Sequence, residues 1–381
     1  MKSNKIRLGE QCVVTSSKRF HLSERITQGV PFYCSKEIIK KFNGEDVTEC
    51  DYISEDLYKK VSNEFGVPKE NDLLITTRGT IGIPYLYKRT DRFYFADGNL
   101  TWIKDFDSNL YSKFLYYWFQ SYEGRKKFEA LAKGTAQKAV PISGIKTLEI
   151  ELPSLKDQKR IVDILSAYDD LIENNQRQIK LLEEAAQRLY KEWFVDLRFP
   201  GHENTKIVDG VPEGWHWGLL QELINVNYGK DHKKAPESGD VSVYGSGGLI
   251  RKCNKSLFSG EAVLIPRKGS LNNIMYVDET FWTVDTMFYA TMKQPHTAIF
   301  VYFFVKSFDM YSMNIGAAVP SMTTKILDAM NVLIPKDEIL GKFDKQAKVC
   351  FDKIKTLQRQ NEQLRKARDL LLPKLMSGEA V

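Results

Sequence analysis

The chain repeats itself: short segments of its first half recur, in the same order, in its second half. The stretch AVPISGIKTLEIELP at 139–153 has an echo, AVPSMTTKILDAMNVLIP, at 318–335. Pairing the two Val-Pro steps gives an offset of 179 residues, and pairing the closing prolines gives 182, which predicts a three-residue insertion between them. A repeat of roughly 180 residues predicts a tandem pair of domains and excludes a solenoid of short repeats.

Further echoes support the duplication. They are glycines in matching loops and aromatic segments in matching places, and their constant order is hard to obtain by chance. The pairs are Gly134 with Gly316, LITTRGTIG around Gly79 with LIPRKGSLN around Gly269, and FLYYWF (114–119) with FVYFFV (300–305).

A heptad pattern follows each half of the repeat. Apolar residues spaced alternately by four and three run from Ile161 to Trp193, and no Gly or Pro occurs from 154 to 199. This pattern predicts a helix of roughly 38 residues, ~57 Å long. A matching pattern after Pro335 predicts a second helix, with Arg368 as a polar misfit and Pro373 as its end. The expected seam residues, with one Asn per helix to define register, are Ile161, Leu165, Ile172, Asn175, Ile179, Leu182, Leu189, Ile354, Leu357, Asn361, Leu364 and Leu371.

The segments between the helices have the pattern of mixed α/β domains. Alternating runs such as RFYFADGNLTWI and TFWTVDTMFYATM predict strands, and aromatic segments at 111–132 and 297–311 predict helices. The Gly-Ser cluster YGSGGL (244–249) predicts a flexible loop. We therefore expect a mixed α/β (α+β) fold with pseudo-two-fold symmetry, in which long helices separate and follow two tandem domains and pair as an antiparallel coiled coil. The alternative is two amphipathic helices that pack on separate cores.

Composition excludes several classes of protein. At 43% hydrophobic and 27% charged residues the chain has the composition of a folded protein. No stretch approaches the ~20 apolar residues of a membrane span, and no secretory signal is evident, so we expect a cytoplasmic protein that does not bind membranes. The net charge is +6, but residues 195–335 hold 13 basic and 14 acidic side chains. Any binding to nucleic acid must therefore rest on local clusters rather than on bulk charge.

Catalytic and metal-binding patterns are missing from the sequence. There is no G-x-x-x-x-G-K-[ST] phosphate loop and no Asn-Pro-Pro-aromatic motif of an amino-methyltransferase. The five cysteines form no C-x-x-C pair and the five histidines lie in no ligand spacing. Asp97 and Asp285 fall at corresponding strand positions but lack neighbouring catalytic residues, so we interpret them as structural. We predict no catalytic residue and no metal site.

The remaining polar signals are short loops that combine glycine, hydroxyl and basic residues. They recur at corresponding places in the two halves, and they suit DNA, because backbone amides and hydroxyls bind phosphates while Arg, Asn and Gln read base edges. Ordinary solvated turns are the alternative for any single loop. The loops are SSKRF (16–20), TTRGT (76–80), AKGTAQK (132–138), YGKDHKK (228–234) and PRKGSLNN (266–273).

In these features the chain resembles the specificity subunit of type I restriction–modification systems. The resemblance covers the whole chain and is most specific at RLYKEWFVDLRFPG (188–201) and GVPEGWHWGLLQEL (210–223). The first-half TTRGTIG stretch and the closing LRKARDLLLPKLMSGE (364–379) add to it.

The resemblance implies target-recognition domains at 1–155 and 200–335, with spacer helices at 156–199 and 336–381. It implies that each recognition domain reads one half of a split site in double-stranded DNA, and that the helices dock two methyltransferase subunits, which motor-nuclease subunits join. S-adenosylmethionine, ATP and Mg are expected on those partners, and no cofactor on this chain. A helix of this length corresponds to roughly 15–17 base pairs, part of which the domains themselves cover.

For DNA contact the sequence suggests residues in the loops named above and at the second domain exit. They are Lys18, Arg19, Thr77, Arg78, Thr80, Lys133, Thr135, Gln137 and Lys138 in the first half, and Lys230, Lys233, Lys234, Arg267, Lys268, Ser270, Asn272, Asn273 and Thr324 in the second. Two other functions remain open from the residues alone. One is a self-contained nuclease or methyltransferase, which needs motifs that are missing. The other is a coiled-coil scaffold that tethers two protein-binding domains.

Overall fold

The computed structural model describes residues 3–134, 138–234, 236, 238–313 and 321–379, without the side chains of Ser3 and Lys234. The chain divides into two compact units, Met1–Arg177 with Gln358–Val381, and Gln178–Leu357. The division passes through both long helices, so each unit contains one globular region and a part of each helix. The fold is mixed α/β, as predicted.

The first unit is built on two sheets and a strand pair. Its strands are β1 (Ser3–Arg7), β2 (Val13–Thr15), β3 (Val30–Tyr33), β4 (Asp51–Ile53), β5 (Leu73–Thr76), β6 (Pro84–Leu86), β7 (Tyr94–Phe95), β8 (Leu100–Lys104) and β9 (Glu149–Pro153). The main sheet has the order β2-β8-β5-β6 and is antiparallel, and a second sheet has the order β4-β3-β7, with β3 and β7 parallel. Strand β5 reads LLIT and is buried at every position, which explains its unbroken apolar character.

Serine caps begin two of the helices of the first unit. The helices of this unit are α1 (Ser35–Asn43), α2 (Glu55–Glu64), α3 (Ser112–Gln120), α4 (Tyr122–Glu129), α5 (Ile142–Lys146) and the long α6 (Leu155–Tyr190). The hydroxyl of Ser54 accepts the backbone N–H of Leu57 at the start of α2, and that of Ser121 accepts the N–H of Gly124 at the start of α4. Helix α3 buries most of its aromatic residues against the main sheet.

The second unit has the same plan with a larger sheet. Its elements are β10 (Ile207–Val208), β11 (Val211–Pro212), β12 (His216–Leu219), β13 (Ile224–Tyr228), β14 (Val241–Gly245), β15 (Gly248–Cys253), β16 (Phe258–Pro266), β17 (Met275–Thr283), β18 (Met287–Met292), α7 (Ala298–Lys306), α8 (Thr324–Asp328), β19 (Asn331–Ile334) and α9 (Asp337–Ser377). The sheet has the order β13-β18-β16-β17-β14-β15. Helix α7 is buried on almost every side, as its all-round apolar sequence requires.

The two units share their topology. The order β2-β8-β5-β6 corresponds to β13-β18-β16-β17, and the pair β1·β9 corresponds to β12·β19. Strand β3 is parallel to β7 and antiparallel to β4, just as β14 is parallel to β17 and antiparallel to β15. The predicted duplication is therefore present in the fold, although helices α1 and α2 have no counterpart between β14 and β17 among the described residues.

The domain exits correspond at a constant offset, so the predicted insertion is wrong. Helix α5 begins at Ile142 and α8 at Thr324, 182 residues later, and the same interval separates β9 at Glu149 from β19 at Asn331. The second Val-Pro step, at 319–320, lies outside the described residues, and the constant offset makes Met322 the counterpart of Val140. The repeated letters therefore mark equivalent segments without marking equivalent positions.

Two local predictions are corrected. The segment 244–249 is a hairpin and not a flexible loop, because β14 runs to Gly245 and β15 starts at Gly248. Asp97 and Asp285 lie in turns that precede β8 and β18, not in strands. A strand pattern cannot locate the turn inside a run such as FADGNL, since apolar residues continue on both sides of it.

The long helices pair in an antiparallel sense within the first unit. Asp169 contacts Arg368 and Asn175 contacts Asn361, so the residue numbers of α9 decrease along the contact as those of α6 increase. Of the predicted seam, seven residues are buried, namely Ile161, Leu165, Ile172, Asn175, Ile354, Leu357 and Asn361. The other five are partly buried, namely Ile179, Leu182, Leu189, Leu364 and Leu371.

Helix α9 continues through Pro373 to Ser377, so the predicted end of this helix is wrong. A proline inside a helix costs about 3 kcal/mol, because it removes one hydrogen bond and clashes with the preceding turn. Leu372 and Leu375 are buried in the core of the first unit, and burying two leucines contributes ~3–6 kcal/mol. Apolar burial thus offsets the proline, and neither leucine lies on the predicted heptad seam.

Aromatic residues pack the end of α6 into the core of the second unit. After Tyr190 the helix passes into a π-helical turn at Lys191–Val195. The Phe194 ring lies 4.8 Å from Phe343 and 5.9 Å from Trp215. Trp215 belongs to the Pro-Glu-Gly-Trp tetrapeptide, whose Gly214 adopts a left-handed φ of 81°. The two motifs that carry the resemblance, at 188–201 and 210–223, therefore meet in the core of the second unit.

Candidate nucleic-acid interface

Three loops and the domain exit meet at one edge of the first unit. We define the first edge as residues 16–19, 77–80, 97–99, 133 and 138–140. The N–H of Thr77 donates to the carbonyl of Asn99 (2.9 Å), and the N–H of Val140 donates to the carbonyl of Thr77 (2.9 Å). The N–H of Gly79 donates to the carbonyl of Lys138 (3.3 Å). The structure therefore brings together the predicted loops SSKRF and TTRGT with the described part of AKGTAQK.

The second unit forms an edge with the same hydrogen-bond frame. We define the second edge as residues 228–233, 267–270, 284–286 and 321–322. The N–H of Arg267 donates to Thr286 (2.8 Å), and the N–H of Met322 donates to Arg267 (2.9 Å). Thr77 and Arg267 are therefore structural equivalents, as are Val140 and Met322.

A glycine in a left-handed conformation turns the central loop of each edge. Gly79 has a φ of 74° and Gly269 a φ of 84°, values that residues with a side chain rarely adopt. Arg78 forms an isolated backbone bridge with Ala139, and Lys268 forms the equivalent bridge with Ser321. Each edge thus places one cationic residue immediately before the turn.

Most of the proposed side chains of the first edge are exposed. Arg78, Thr80, Lys133 and Lys138 are exposed, whereas Thr77 is buried. Arg19 forms an ion pair with Asp97 (Nε–Oδ2 3.1 Å), and Lys18 lies over the ring of Phe65 at 4.7 Å. Thr135 and Gln137 lie outside the described residues.

The loop 16–19 is held by a buried tyrosine. The backbone N–H of Lys18 donates to the hydroxyl oxygen of Tyr94 at 2.9 Å. Burial raises the pKa of Tyr94, which keeps the phenol neutral. Ser16 directly follows β2 and was missed as a site residue, although a hydroxyl residue at a strand end beside basic residues is a signal that sequence reasoning can use.

In the second edge, Arg267 stacks on a neighbouring ring. Its guanidinium lies 5.4 Å from the ring centre of Tyr228, and its Nη1 donates to the carbonyl of Asp285 (3.4 Å). Lys230, Lys233, Lys268 and Ser270 are exposed, and Thr324 is half-buried at the start of α8. The backbone of Lys234 belongs to a 3₁₀ turn, and its side chain lies outside the described residues.

Two proposed asparagines are engaged within the protein. The Nδ2 of Asn272 donates to Asp309 (3.0 Å), and its Oδ1 accepts the N–H of Met310 (2.8 Å). The Nδ2 of Asn273 donates to the carbonyl of Ser246 (2.8 Å). Bidentate reading of adenine uses both atoms of an Asn amide, and in Asn272 both atoms already hold a partner within the protein.

A cavity opens beside the first edge. It has a volume of about 310 Å³, and it is lined by polar and basic residues (Ser16, Thr77, Arg78, Thr101, Lys133), by Gly98, and by an apolar wall (Leu100, Ala139, Val140, Pro141, Ile142). A Cβ atom built on Gly79 or on Gly98 would meet nothing within 4 Å. The turns of the first edge are therefore open to a ligand.

Polar contacts interrupt the apolar packing of α6 against α9. The Nδ2 of Asn175 donates to the Oδ1 of Asn361 (2.9 Å). Arg368, the misfit in the heptad pattern, forms an ion pair with Asp169 (Nη1–Oδ1 2.6 Å), which also accepts the hydroxyl of Tyr117. Burial lowers the pKa of Arg368, but Asp169 and Asp369 outweigh burial and raise it above its ordinary value.

The described part of the chain holds neither a metal-binding cluster nor a helix that could cross a membrane. No group of three or more His, Cys, Asp or Glu side chains there is placed to hold a metal ion. None of the described helices combines the length and the apolar character that crossing a bilayer requires.

Comparison with known proteins identifies the family. A family model described as a type I restriction modification DNA specificity domain matches residues 3–184 and again 212–369. The MjaIX specificity subunit of Methanocaldococcus jannaschii is 27% identical over 309 residues, which cover 70% of this chain and 69% of the relative. The MjaVIII specificity subunit of the same organism is 23% identical over 84% of this chain and 82% of the relative.

A solved structure shows the same fold. The crystal structure of a type I restriction–modification S subunit from M. genitalium matches with a TM-score of 0.58 at 19% identity, covering 98% of this chain and 95% of that one. The double family match, one for each unit, agrees with the shared topology of the two units. The chain belongs to the type I restriction–modification DNA specificity family and is a specificity subunit with two tandem recognition domains.

Proposed function

We propose that this subunit reads a bipartite site in double-stranded DNA, with the first edge contacting one half-site and the second edge the other. The observation that carries the proposal is a common backbone frame with different side chains. Val140 donates to the carbonyl of Thr77 in one unit, and Met322 donates to that of Arg267 in the other. A shared frame that presents Thr and Arg at one position suits two modules with the same docking geometry and different base preferences.

The exposed side chains of the edges match the two kinds of contact that DNA recognition needs. Lys133, Lys138, Lys230 and Lys268 are exposed cations that suit phosphates. Arg267 is held over an aromatic ring, which restricts its guanidinium and suits bidentate reading of guanine. The alternation of both kinds of residue along one edge favours sequence-specific binding over purely electrostatic binding.

Helices α6 and α9 are proposed as the spacer and as the docking surface for two methyltransferase subunits, with motor-nuclease subunits joining through that complex. Each helix carries large apolar side chains that face solvent: Leu171 and Leu181 are 52% and 60% exposed, and Val349 and Leu370 are 68% and 71% exposed. Exposed apolar side chains on long helices favour a protein partner. S-adenosylmethionine, ATP and Mg would bind to the partners, and this chain would recognise DNA without catalysing a reaction.

Methylation mapping tests the division into half-sites. The full chain is co-expressed with its methyltransferase subunit in a host without adenine methylation, and methylated sites are mapped across the genome. Arg267→Ala is expected to relax base preference in one half-site only, and Gln137→Ala, in the loop AKGTAQK of the first half, in the other half-site only. Lys60→Ala, which removes an exposed lysine on α2 that belongs to neither edge, serves as the control and should leave the site unchanged.

Two outcomes would contradict the proposal. If Arg267→Ala relaxed both half-sites equally, the units would not act as separate readers. If the purified chain methylated DNA when supplied with S-adenosylmethionine alone, the chain would be an enzyme in its own right.

A further inference from the structure

The cavity beside the first edge has walls of two kinds. The carbon-rich wall consists of Leu100 and the exit segment 139–142. The lining also includes three hydroxyl residues, Ser16, Thr77 and Thr101. An apolar wall lowers the local dielectric and strengthens any electrostatic contact made in the cavity.

The hydroxyl of Ser16 has no hydrogen-bond partner among the residues that the structure describes, although it is buried. Buried polar groups in native proteins are nearly always paired, and an exception calls for an explanation such as a missing ligand. Because Ser16 belongs to the cavity wall, a ligand in the cavity would supply the missing acceptor.

Two cations flank the same short segment at the mouth of the cavity. The backbones of Arg78 and Lys133 each form a bridge with Ala139. Both side chains are exposed, and neither forms an ion pair with any described residue. Their positive charges are therefore available to an anion that enters the cavity.

In the second unit, large side chains occupy the positions equivalent to the hydroxyl residues of the cavity. Strand register makes Tyr228 the equivalent of Ser16, and Phe288 the equivalent of Thr101. The two rings contact each other at 5.0 Å, and Arg267 lies over Tyr228 at 5.4 Å. Three hydroxyl residues in the first unit thus correspond to two aromatic rings and a guanidinium in the second.

We propose that the cavity binds one phosphate group of the DNA backbone, with Ser16, Arg78 and Lys133 as its ligands. Hydroxyl, guanidinium and ammonium groups are the usual protein donors to phosphate oxygens, and this set meets at a single opening. The proposal rests on the DNA-binding function proposed above and adds a phosphate anchor that the first unit has and the second lacks. Arg78 in this role fixes the position of the duplex and reads no base.

The test uses the full chain and a pool of fluorescent 40-base-pair duplexes of randomised sequence, because a phosphate contact does not depend on base sequence. Affinity is measured by fluorescence anisotropy at several KCl concentrations. The double variant Arg78→Ala/Lys133→Ala should lower the slope of log affinity against log salt by about one, the change for one phosphate. Two separately bound phosphates would give a decrease of about two and would overturn the shared site.

Ser16→Ala gives the sharper result, since it removes an uncharged group. We expect binding to weaken about three- to tenfold with an unchanged salt slope. The melting temperature of the free protein should not fall, because the lost hydroxyl has no partner among the described residues. Ser16→Thr keeps a hydroxyl and should bind like the wild type.

Unchanged affinity of Ser16→Ala would overturn the proposal, and so would an equal loss in the control Lys60→Ala. A loss confined to a subset of duplex sequences, found by sequencing the bound pool, would show that the cavity reads a base and holds no phosphate. These failures leave the proposed function intact. A wild-type chain that binds none of the duplexes would instead overturn the DNA-binding function itself, and the phosphate site with it.

Discussion

Asn175 and Asn361 face each other across the packed helices α6 and α9, with the Nδ2 of Asn175 2.9 Å from the Oδ1 of Asn361. Both side chains are buried, at 8% and 3% exposure. A second hydrogen bond runs from Asn361 to the carbonyl of Ile172 (3.5 Å). Polar pairs in a helical seam specify register because any slip leaves them without partners.

Removing one asparagine should therefore cost more than removing both. Asn361→Ala leaves the amide of Asn175 buried and unpaired, and we expect it to lower the free energy of unfolding by about 1–3 kcal/mol. Asn175→Leu/Asn361→Leu replaces both partners by apolar groups and should be neutral or stabilising. Urea denaturation of the full chain measures both effects, and the exposed Gln363→Ala is the control. A double variant less stable than Asn361→Ala would show that the amides contribute more than register.

The ion pair of Asp169 with Arg368 gives an asymmetric prediction. Asp169→Ala leaves the partly buried guanidinium of Arg368 without its main partner, and we expect a loss of about 2 kcal/mol. Arg368→Leu should cost less, because Asp169 keeps the hydroxyl of Tyr117 at 2.6 Å and the new leucine restores the heptad. Urea midpoints of the two variants decide the order, and the reverse order would contradict the geometry.

Replacing Pro373 tests whether α9 extends to Ser377. If the helix passes through this position, Pro373→Ala restores a missing backbone hydrogen bond, and the variant should be up to about 3 kcal/mol more stable. If the helix ended before Pro373, alanine would bring only greater freedom in the unfolded chain, and stability would stay the same or fall. Thermal unfolding measures the change, with Lys374→Ala as the neighbouring control.

Acid should weaken the first unit at Glu173. Burial raises the pKa of this carboxyl, but Lys88 and Arg177 (each 2.8 Å away) outweigh burial and hold the pKa below its ordinary value. A lowered carboxyl pKa gives stability that is present above the unfolded-state pKa, about 4.3, and is lost as the pH falls through the folded-state value. Glu173→Gln should be less stable than the wild type at pH 7, and this difference should shrink below pH 4.

Urea midpoints measured between pH 3 and pH 7 check this sign. Glu64→Gln, on the exposed face of α2, controls for the change in net charge. A difference between Glu173→Gln and the wild type that stayed constant across this range would contradict the assignment.

The repeated Val-Pro step located the duplicated segments but not their register. The hydrogen bonds of Val140 and Met322 give an offset of 182 residues, whereas pairing the two Val-Pro steps gives 179. A repeated dipeptide carries no information on register, which depends on hydrogen bonds between strands far apart in sequence. The predicted helix end at Pro373 was wrong for a related reason. Burial of Leu372 and Leu375 in the core of the first unit outweighs the cost of a proline inside the helix.

The duplication, the mixed α/β class and the two long helices follow from the amino-acid sequence, because periodicity and repeated order are visible in the linear order of the residues. The sequence also indicated the loops that could carry DNA contacts. The folded chain shows in addition that these loops share one edge in each unit, and that Arg368, the polar residue in the heptad pattern, is paired with Asp169. The fold also shows that Ser16 borders a cavity in the first unit, and that Tyr228 takes the equivalent position in the second unit. Contacts of this kind join segments that are far apart in the chain, and neither segment contains a pattern that identifies its partner.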